Sequence, residues 1–331
     1  MRIVVAAILS LWAGLVLAAG KPVLTVYTYN SFTAEWGPGP GVKKAFEADC
    51  GCELNYVALD DGVALLSRVR LEGANAKGDV VLGLDTNLTA EAAATGLFAP
   101  HGLELGKLAL PAPWVDSVFV PFDYGYFAFV YDKTKLAQPP ASLDDLINGP
   151  AEQKIIIEDP RVSTPGLGLL LWLRQVYGDG SKTAWEKLRP RILTVTKGWS
   201  EAYGLFLKGE APLVLSYTTS PAYHLIAENK DNYAAADFKE GHYLQIEVAG
   251  MLKSSAQPEL AKRFLAFVVT QAFQEQIPTT NWMYPVIALP NGLPKGFETL
   301  VQPSKALAYA PAEVAANRKR WIEEWLEALG R

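Results

Sequence analysis

The apolar positions of this chain change period repeatedly, and the changes mark out its elements. Residues 21–29 (KPVLTVYTY) alternate and are rich in β-branched and aromatic types, which predicts a first strand. It runs into Tyr29-Asn30-Ser31-Phe32 and then Trp36-Gly37-Pro38-Gly39-Pro40-Gly41. There the proline/glycine alternation argues against regular structure and places Trp36 on a stiff loop. A helix is expected to resume over 43–46. Residues 53–59 read as a second strand ending in Asp60-Asp61-Gly62, and 63–72 as a helix with apolar Val63, Leu65, Leu66 and Val69. Asp61 is placed to cap that helix and, with its other oxygen, to face a cleft at the strand-to-helix junction. Residues 78–83 (GDVVLG) give a third strand. Strand and helix in alternation imply a parallel sheet with right-handed crossovers.

The pattern then lengthens. Residues 119–131 (FVPFDYGYFAFVY) are the longest β-prone run and suit a crossover between two lobes; 243–251 (YLQIEVAGM) suit the return. Between them, 154–160 predict a strand, followed by Arg161-Val162-Ser163-Thr164-Pro165-Gly166-Leu167-Gly168 and a helix over 169–177. Hydroxyls and glycines at a helix start fit an anion site, and plain capping by Ser163 or Thr164 fits equally. The most pointed stretch is 197–224 (KGWSEAYGLFLKGEAPLVLSYTTSPAYH). Trp199, Tyr203 and Phe206 recur at helical spacing, as ordinary core does. Residues 213–217 (LVLSY) form a buried strand that ends in hydroxyls and then Tyr223 and His224, the way α/β proteins build ligand sites at the carboxyl edge of a sheet. Helices are expected over 259–274 and 312–329, the latter with Trp321 and Trp325 as core. Residues 277–286 form a loop bearing Trp282 and Tyr284. No internal repeat or low-complexity linker interrupts the chain.

Length allows two lobes, since 331 residues support more than one core. A net charge of −5 disfavours a nucleic-acid partner and mildly favours a cationic or neutral ligand. Nine Trp and 14 Tyr against 13 Phe favour rings that both stack and hydrogen-bond. Residues 1–20 place one Arg before an apolar run over 3–17, then Ala18, Ala19 and Gly20: a signal peptide by pattern, with no cysteine for a lipid anchor. The mature chain is therefore expected to be exported. Cys50 and Cys52 flank Gly51 and are expected to pair in an oxidising compartment, closing too small a loop to add much stability. Three scattered histidines (His101, His224, His242) give no metal pattern, and no cofactor is expected.

The usual catalytic motifs are missing: no HExxH, no GxSxG, and no nucleotide-binding loop. What recurs is a ring beside a hydroxyl, amide or carboxylate at a strand-to-loop boundary. It appears at Tyr29/Ser31/Trp36, Asp61, Ser163/Thr164, Trp199, Ser216/Tyr217/Ser220/Tyr223 and Asn281/Trp282. Together these imply an aromatic cleft that closes on a small cation.

The motifs KPVLTVYTYNSF with WGPGP, DGVALLSRVRLEG, DVVLGLD, VPFDYGYFAFVYDK, DPRVSTPGLGLLLW, TVTKGWSEAYGLFLKGE, LVLSYTTSPAYH and NWMYP span the whole mature chain. In them the chain resembles the periplasmic thiamine-binding proteins, the substrate-binding components of ABC importers for thiamine and its phosphates. The resemblance implies an α/β, two-lobe, type II "clamshell" of mixed, mostly parallel sheets flanked by helices. It implies lobe I at about 21–122 plus 246–295 and lobe II at about 123–245 plus 296–331. It further implies thiamine or its mono- and diphosphate as ligand, a membrane permease and an ATPase as partners, a periplasmic location, and no enzymatic activity. Asp61, next to Gly62, would hold the aminopyrimidine, and Tyr29 and Trp36 would line one wall. Trp199, Tyr217, Tyr223 and Trp282, with Ser220, would surround the rings; Ser163, Thr164 and Gly166 would receive the hydroxyethyl or phosphate end. Val162 stands where some relatives carry a hydroxyl. The rival readings are a thiaminase I-like enzyme, which needs a cleft cysteine, and a binder of ferric iron or polyamine. Iron capture favours adjacent tyrosines, absent here, and polyamine sites want several carboxylates, where the sequence offers one clear candidate, Asp61.

Overall fold

The computed structural model describes residues 20–330, so the expected signal peptide over 1–20 falls almost wholly outside the described residues. The first part of the chain alternates as its periodicity demands: β1 (Val23–Tyr29), the short α1 (Asn30–Thr33), α2 (Gly39–Cys50), β2 (Glu53–Leu59), α3 (Gly62–Glu72), β3 (Val80–Asp85) and α4 (Thr86–Ala94). β1 pairs in parallel with both β2 and β3. After a two-residue β4 (Phe98–Ala99) comes the 14-residue β5 (Phe119–Asp132).

The second alternation is α5 (Leu143–Asn148), β6 (Ile155–Glu158), α6 (Thr164–Tyr177), α7 (Ser181–Leu188), β7 (Ile192–Thr196), α8 (Trp199–Leu207), β8 (Leu213–Tyr217), α9 (Pro221–Ala227) and β9 (Tyr233–Ala235). β6 is parallel to β7 and β8. The chain closes with β10 (His242–Leu252), α10 (Pro258–Phe267), α11 (Gln271–Gln274), β11 (Tyr284–Pro285), β12 (Ala306–Leu307) and α12 (Pro311–Leu329).

Strand order is β2-β1-β3-β10-β5-β8-β6-β7, a parallel triplet at either end joined by the antiparallel pair β10–β5. The two long strands work as crossovers. Phe119–Tyr126 of β5 pairs with β10, and Phe127–Tyr131 turns to β8. α12 ties the halves a third time: Arg318 reaches Glu91 on α4, while the Trp325 ring packs edge-on to Trp185 of α7. Trp321 and Trp325 are buried, the core role their spacing suggested.

Local differences from the sequence reading have plain causes. α2 starts at Gly39, not near Lys43, because Pro40 falls in the first turn, where a missing N–H removes no helical bond. For the same reason α6 starts at Thr164, with Pro165 in its first turn and the Gly-Leu-Gly step inside the helix. The helix expected over 259–274 breaks into α10 and α11. Gly51 caps α2 at φ 64°, a left-handed conformation suited to glycine, and Cys50 and Cys52 are disulfide-bonded across it.

Candidate functional site

Residues at or just past the ends of parallel strands in both halves come together. They line a cavity of about 350 Å3, within the range of small-molecule sites. Tyr29 ends β1 and Tyr217 ends β8. Asp61 precedes α3, Thr164 and Trp199 open α6 and α8, and Tyr223 lies in α9. Of the residues singled out from sequence, Tyr29, Trp36, Asp61, Thr164, Trp199, Tyr217, Ser220, Tyr223 and Trp282 line this cavity.

The rings are mutually ordered. Trp199 stacks on Tyr203 at 4.9 Å between centroids and 20° between planes, and its Nε1 donates to Ser216 Oγ at 2.7 Å. Trp36, half exposed at the rim, stands 6.2 Å from Trp199. Tyr223 meets Trp282 edge-on at 5.4 Å. Trp282 has φ 56°, in the left-handed region that non-glycine residues rarely adopt. Backbone strain of that kind gathers at functional sites. The Tyr217 hydroxyl donates to Gln245 at 2.9 Å, which fixes its ring against the cavity.

Asp61 lines the cavity, and both its oxygens are hydrogen-bonded to protein. Its Oδ1 accepts from the N–H of Gly62 at 2.6 Å and of Thr164 at 3.2 Å. Its Oδ2 accepts from Ser163 Oγ at 2.9 Å and the Trp199 N–H at 3.1 Å. One carboxylate thus caps its own helix and meets the starts of α6 and α8 in the other half. Burial raises its pKa, and the four donors, which favour the ionised form, oppose that rise. It fastens the halves together.

Gly62, Ser163 and Gly166 do not line the cavity. A side chain on Gly62 would collide with Thr164 Oγ1 and Gly83 O, so this glycine lets the halves touch. The Ser163 hydroxyl is spent on Asp61 and on capping Gly166, whose own backbone packs against Glu158 O. Of that loop, Thr164 and Pro165 reach the cavity, and Thr164 Oγ1 has no partner.

Sequence reasoning missed several lining residues. Tyr203 was read as core because its helical spacing is that of core. Glu247 sits in the middle of β10, and a lone acid inside an apolar strand was the signal for it. Asp123 in β5 carries the same signal. Glu247 accepts from the Tyr29 hydroxyl at 2.9 Å, and Asn281 Nδ2 donates to Asp123 at 2.6 Å. Burial, then repulsion from Asp123, pushes the Glu247 carboxyl well above the usual range. The cavity thus presents two carboxylates, Asp61 and Glu247, where the sequence pattern marks one. No lysine, arginine or histidine lines the cavity. Both cysteines are in the disulfide, away from it, and among the described residues no cluster of three potential metal ligands occurs.

Two halves joined by crossover strands, closing on a cavity at the strand ends, define a ligand-trapping clamshell. The chain belongs to the bacterial extracellular solute-binding protein family, whose model matches residues 34–275. Within it, the chain is 63% identical over 311 residues to the thiamine-binding periplasmic protein of Escherichia coli K12, covering 94% of both chains. It is 56% identical to the protein of the same name in Brucella abortus, covering 95% of this chain and 94% of the relative. A solved structure described as a periplasmic thiamin binding protein superposes with a TM-score of 0.92 at 63% identity, over 94% of this chain and 97% of that one. The fold is the type II clamshell expected from sequence.

Proposed function

We propose that the protein binds thiamine between its lobes and delivers it to an importer. The observation that carries this is an aromatic cage over an acidic floor: rings on every side, Asp61 and Glu247 as the charged residues of the lining, and no basic side chain. Thiamine presents a permanent thiazolium charge and a flat aminopyrimidine, which such a cage suits. A desolvated cation–π contact contributes about 2 kcal/mol. Nanomolar affinity needs about 12 kcal/mol net, so closure must bring several contacts to bear together. The names of the relatives agree with this ligand.

The rings carry the recognition, so thiamine mono- and diphosphate are ligands by the same reasoning. The twelve residues named from sequence divide accordingly. Tyr29, Trp36, Thr164, Trp199, Tyr217, Ser220, Tyr223 and Trp282 contact the ligand. Asp61 lines the cavity and also holds the closed form, with Gly62, Ser163 and Gly166. The lobes are 21–122 plus 246–295 and 123–245 plus 296–331, flexing on β5 and β10. The partners are a membrane permease and an ATPase, since the chain has no nucleotide-binding loop of its own. Residues 1–20 direct export to the periplasm and are removed. The protein is a carrier and not an enzyme: its cysteines are bonded to each other and lie off the cavity.

Native mass spectrometry of protein purified from periplasm without refolding tests this. The expected result is the mass of a chain lacking its leader plus one thiamine or thiamine ester. A polyamine or metal adduct in its place would refute the ligand, and catalytic loss of thiamine with aniline present would refute the carrier role.

A further inference from the structure

Carboxylic acids lie side by side across the middle of the sheet. Glu247 on β10 is in register with Asp85 on β3 to one side and with Asp123 on β5 to the other. All three are buried, and Glu247 is the one that lines the cavity. The Asp85 carboxyl is turned to Asn87 at 2.6 Å and feels Arg318. Glu247 and Asp123 have no such relief. The donors that reach them are neutral, Tyr29 and Asn281, and Asp123 Oδ1 has none. Direct register across the antiparallel pair sets the two side chains side by side on one face of the sheet.

Two ionised carboxylates side by side in a buried site repel one another, and with no cation beside them the neutralising charge is a proton on one of the two. The surroundings reinforce this. The other titratable groups that face Glu247 and Asp123 are Asp61, Tyr29 and Tyr217, which add negative charge or none. Burial raises both carboxyls, and their proximity raises Glu247 further.

We propose that the Glu247–Asp123 pair reads ligand charge: it holds one shared proton in the ligand-free protein and releases it to solvent when a cation settles in the cavity beside Glu247. The exchange is electroneutral inside the cavity, one positive charge entering as another leaves. A cation can drive it, whereas a neutral ligand of the same shape cannot and would meet a neutral floor with nothing to pair. This rests on the cationic-ligand reading above. Its sign is fixed: below the pH at which the free pair gives up its proton, affinity rises with pH by up to tenfold per unit, and above it affinity is flat.

The test is titration calorimetry of the intact protein with thiamine at about pH 7 in buffers of different ionisation enthalpy, which counts protons released. About one proton per thiamine is expected from the wild type and near zero from Glu247→Gln, with at least tenfold weaker binding in that variant. Asp123→Asn removes the neighbouring charge but leaves Glu247 buried, so it should bind thiamine while releasing fewer protons than the wild type. Thiamine binding by the wild type without proton release overturns the proposal and leaves the ligand reading standing. Absence of thiamine binding by folded protein overturns the ligand reading instead. The proton itself is read without ligand, as carboxylic-acid C=O infrared absorbance of the wild type that the double variant Glu247→Gln/Asp123→Asn loses. If the two spectra match in that region, the pair holds no proton and the proposal fails.

Discussion

Asp61→Asn isolates what holds the lobes shut. In the wild type, Oδ2 accepts from Ser163 Oγ and from the Trp199 N–H, and Oδ1 from the Gly62 and Thr164 N–H groups. Asparagine retains one accepting oxygen, enough for the Gly62 and Thr164 pair. Its amide nitrogen then faces the other two donors. The Ser163 hydroxyl can rotate to accept, but the Trp199 N–H is left facing a donor. Hydrogen bonds to a charged group contribute about 1.5–3 kcal/mol each, and leaving a buried donor unpaired costs about 1–3 kcal/mol. Because these bonds share one side chain they do not add, and a net loss of about 2–3 kcal/mol in the closed form follows. That corresponds to roughly 30- to 150-fold weaker thiamine binding. The loss should fall on dissociation, since bonds made at closure resist opening. It should also be similar for thiamine and its monophosphate, because Asp61 bonds to protein. Stopped-flow tryptophan fluorescence reads both rates, with Trp36, Trp199 and Trp282 on the cavity wall as reporters. A dissociation constant within threefold of wild type, with an unchanged melting temperature, would refute the argument.

Two further outcomes follow from single residues. Trp282→Gly relieves a left-handed backbone that costs a non-glycine residue about 1–2 kcal/mol. It should therefore change stability by less than about 1 kcal/mol while weakening thiamine binding roughly thirtyfold through the lost ring; a silent titration curve would take Trp282 out of the site. Glu158 has both oxygens buried without a partner, and burial, followed by repulsion from Asp61, raises its pKa well above normal. The folded protein thus holds a proton that the unfolded chain releases above about pH 4.3, and each further unit up to the raised value costs ~1.4 kcal/mol. Glu158→Gln should accordingly exceed wild type in melting temperature at pH 8 and lose that margin by pH 5; a margin constant across that range would contradict the sign.

Much of this was legible in the sequence, for identifiable reasons. β2 and β8 were read to the residue, because short apolar runs bounded by turn formers have few alternatives. The crossover role of β5 followed from length alone. Helix starts were read late at α2 and α6, where proline and glycine looked like loop; only the cap geometry reveals that they sit in first turns. That Tyr29, Trp36, Trp199, Tyr217, Tyr223 and Trp282 line one cavity was legible because ring and polar group recur at strand ends, a local pattern. The acid floor was not found. Asp123 and Glu247 lie in β5 and β10, far apart in sequence, and only strand register brings them together. Asp61 shows the same limit from the other side: its position was readable, while its bonds to Ser163 and Trp199 depend on how the halves meet.

The proposed capture of thiamine by rings from both halves, over buried acids, is open to direct measurement. Calorimetric titration of the ligand-stripped protein with thiamine tests it most directly. One site per chain is expected, with a dissociation constant well below micromolar, or more than about 8 kcal/mol. No saturable heat at millimolar thiamine, from protein that melts cooperatively, would contradict it.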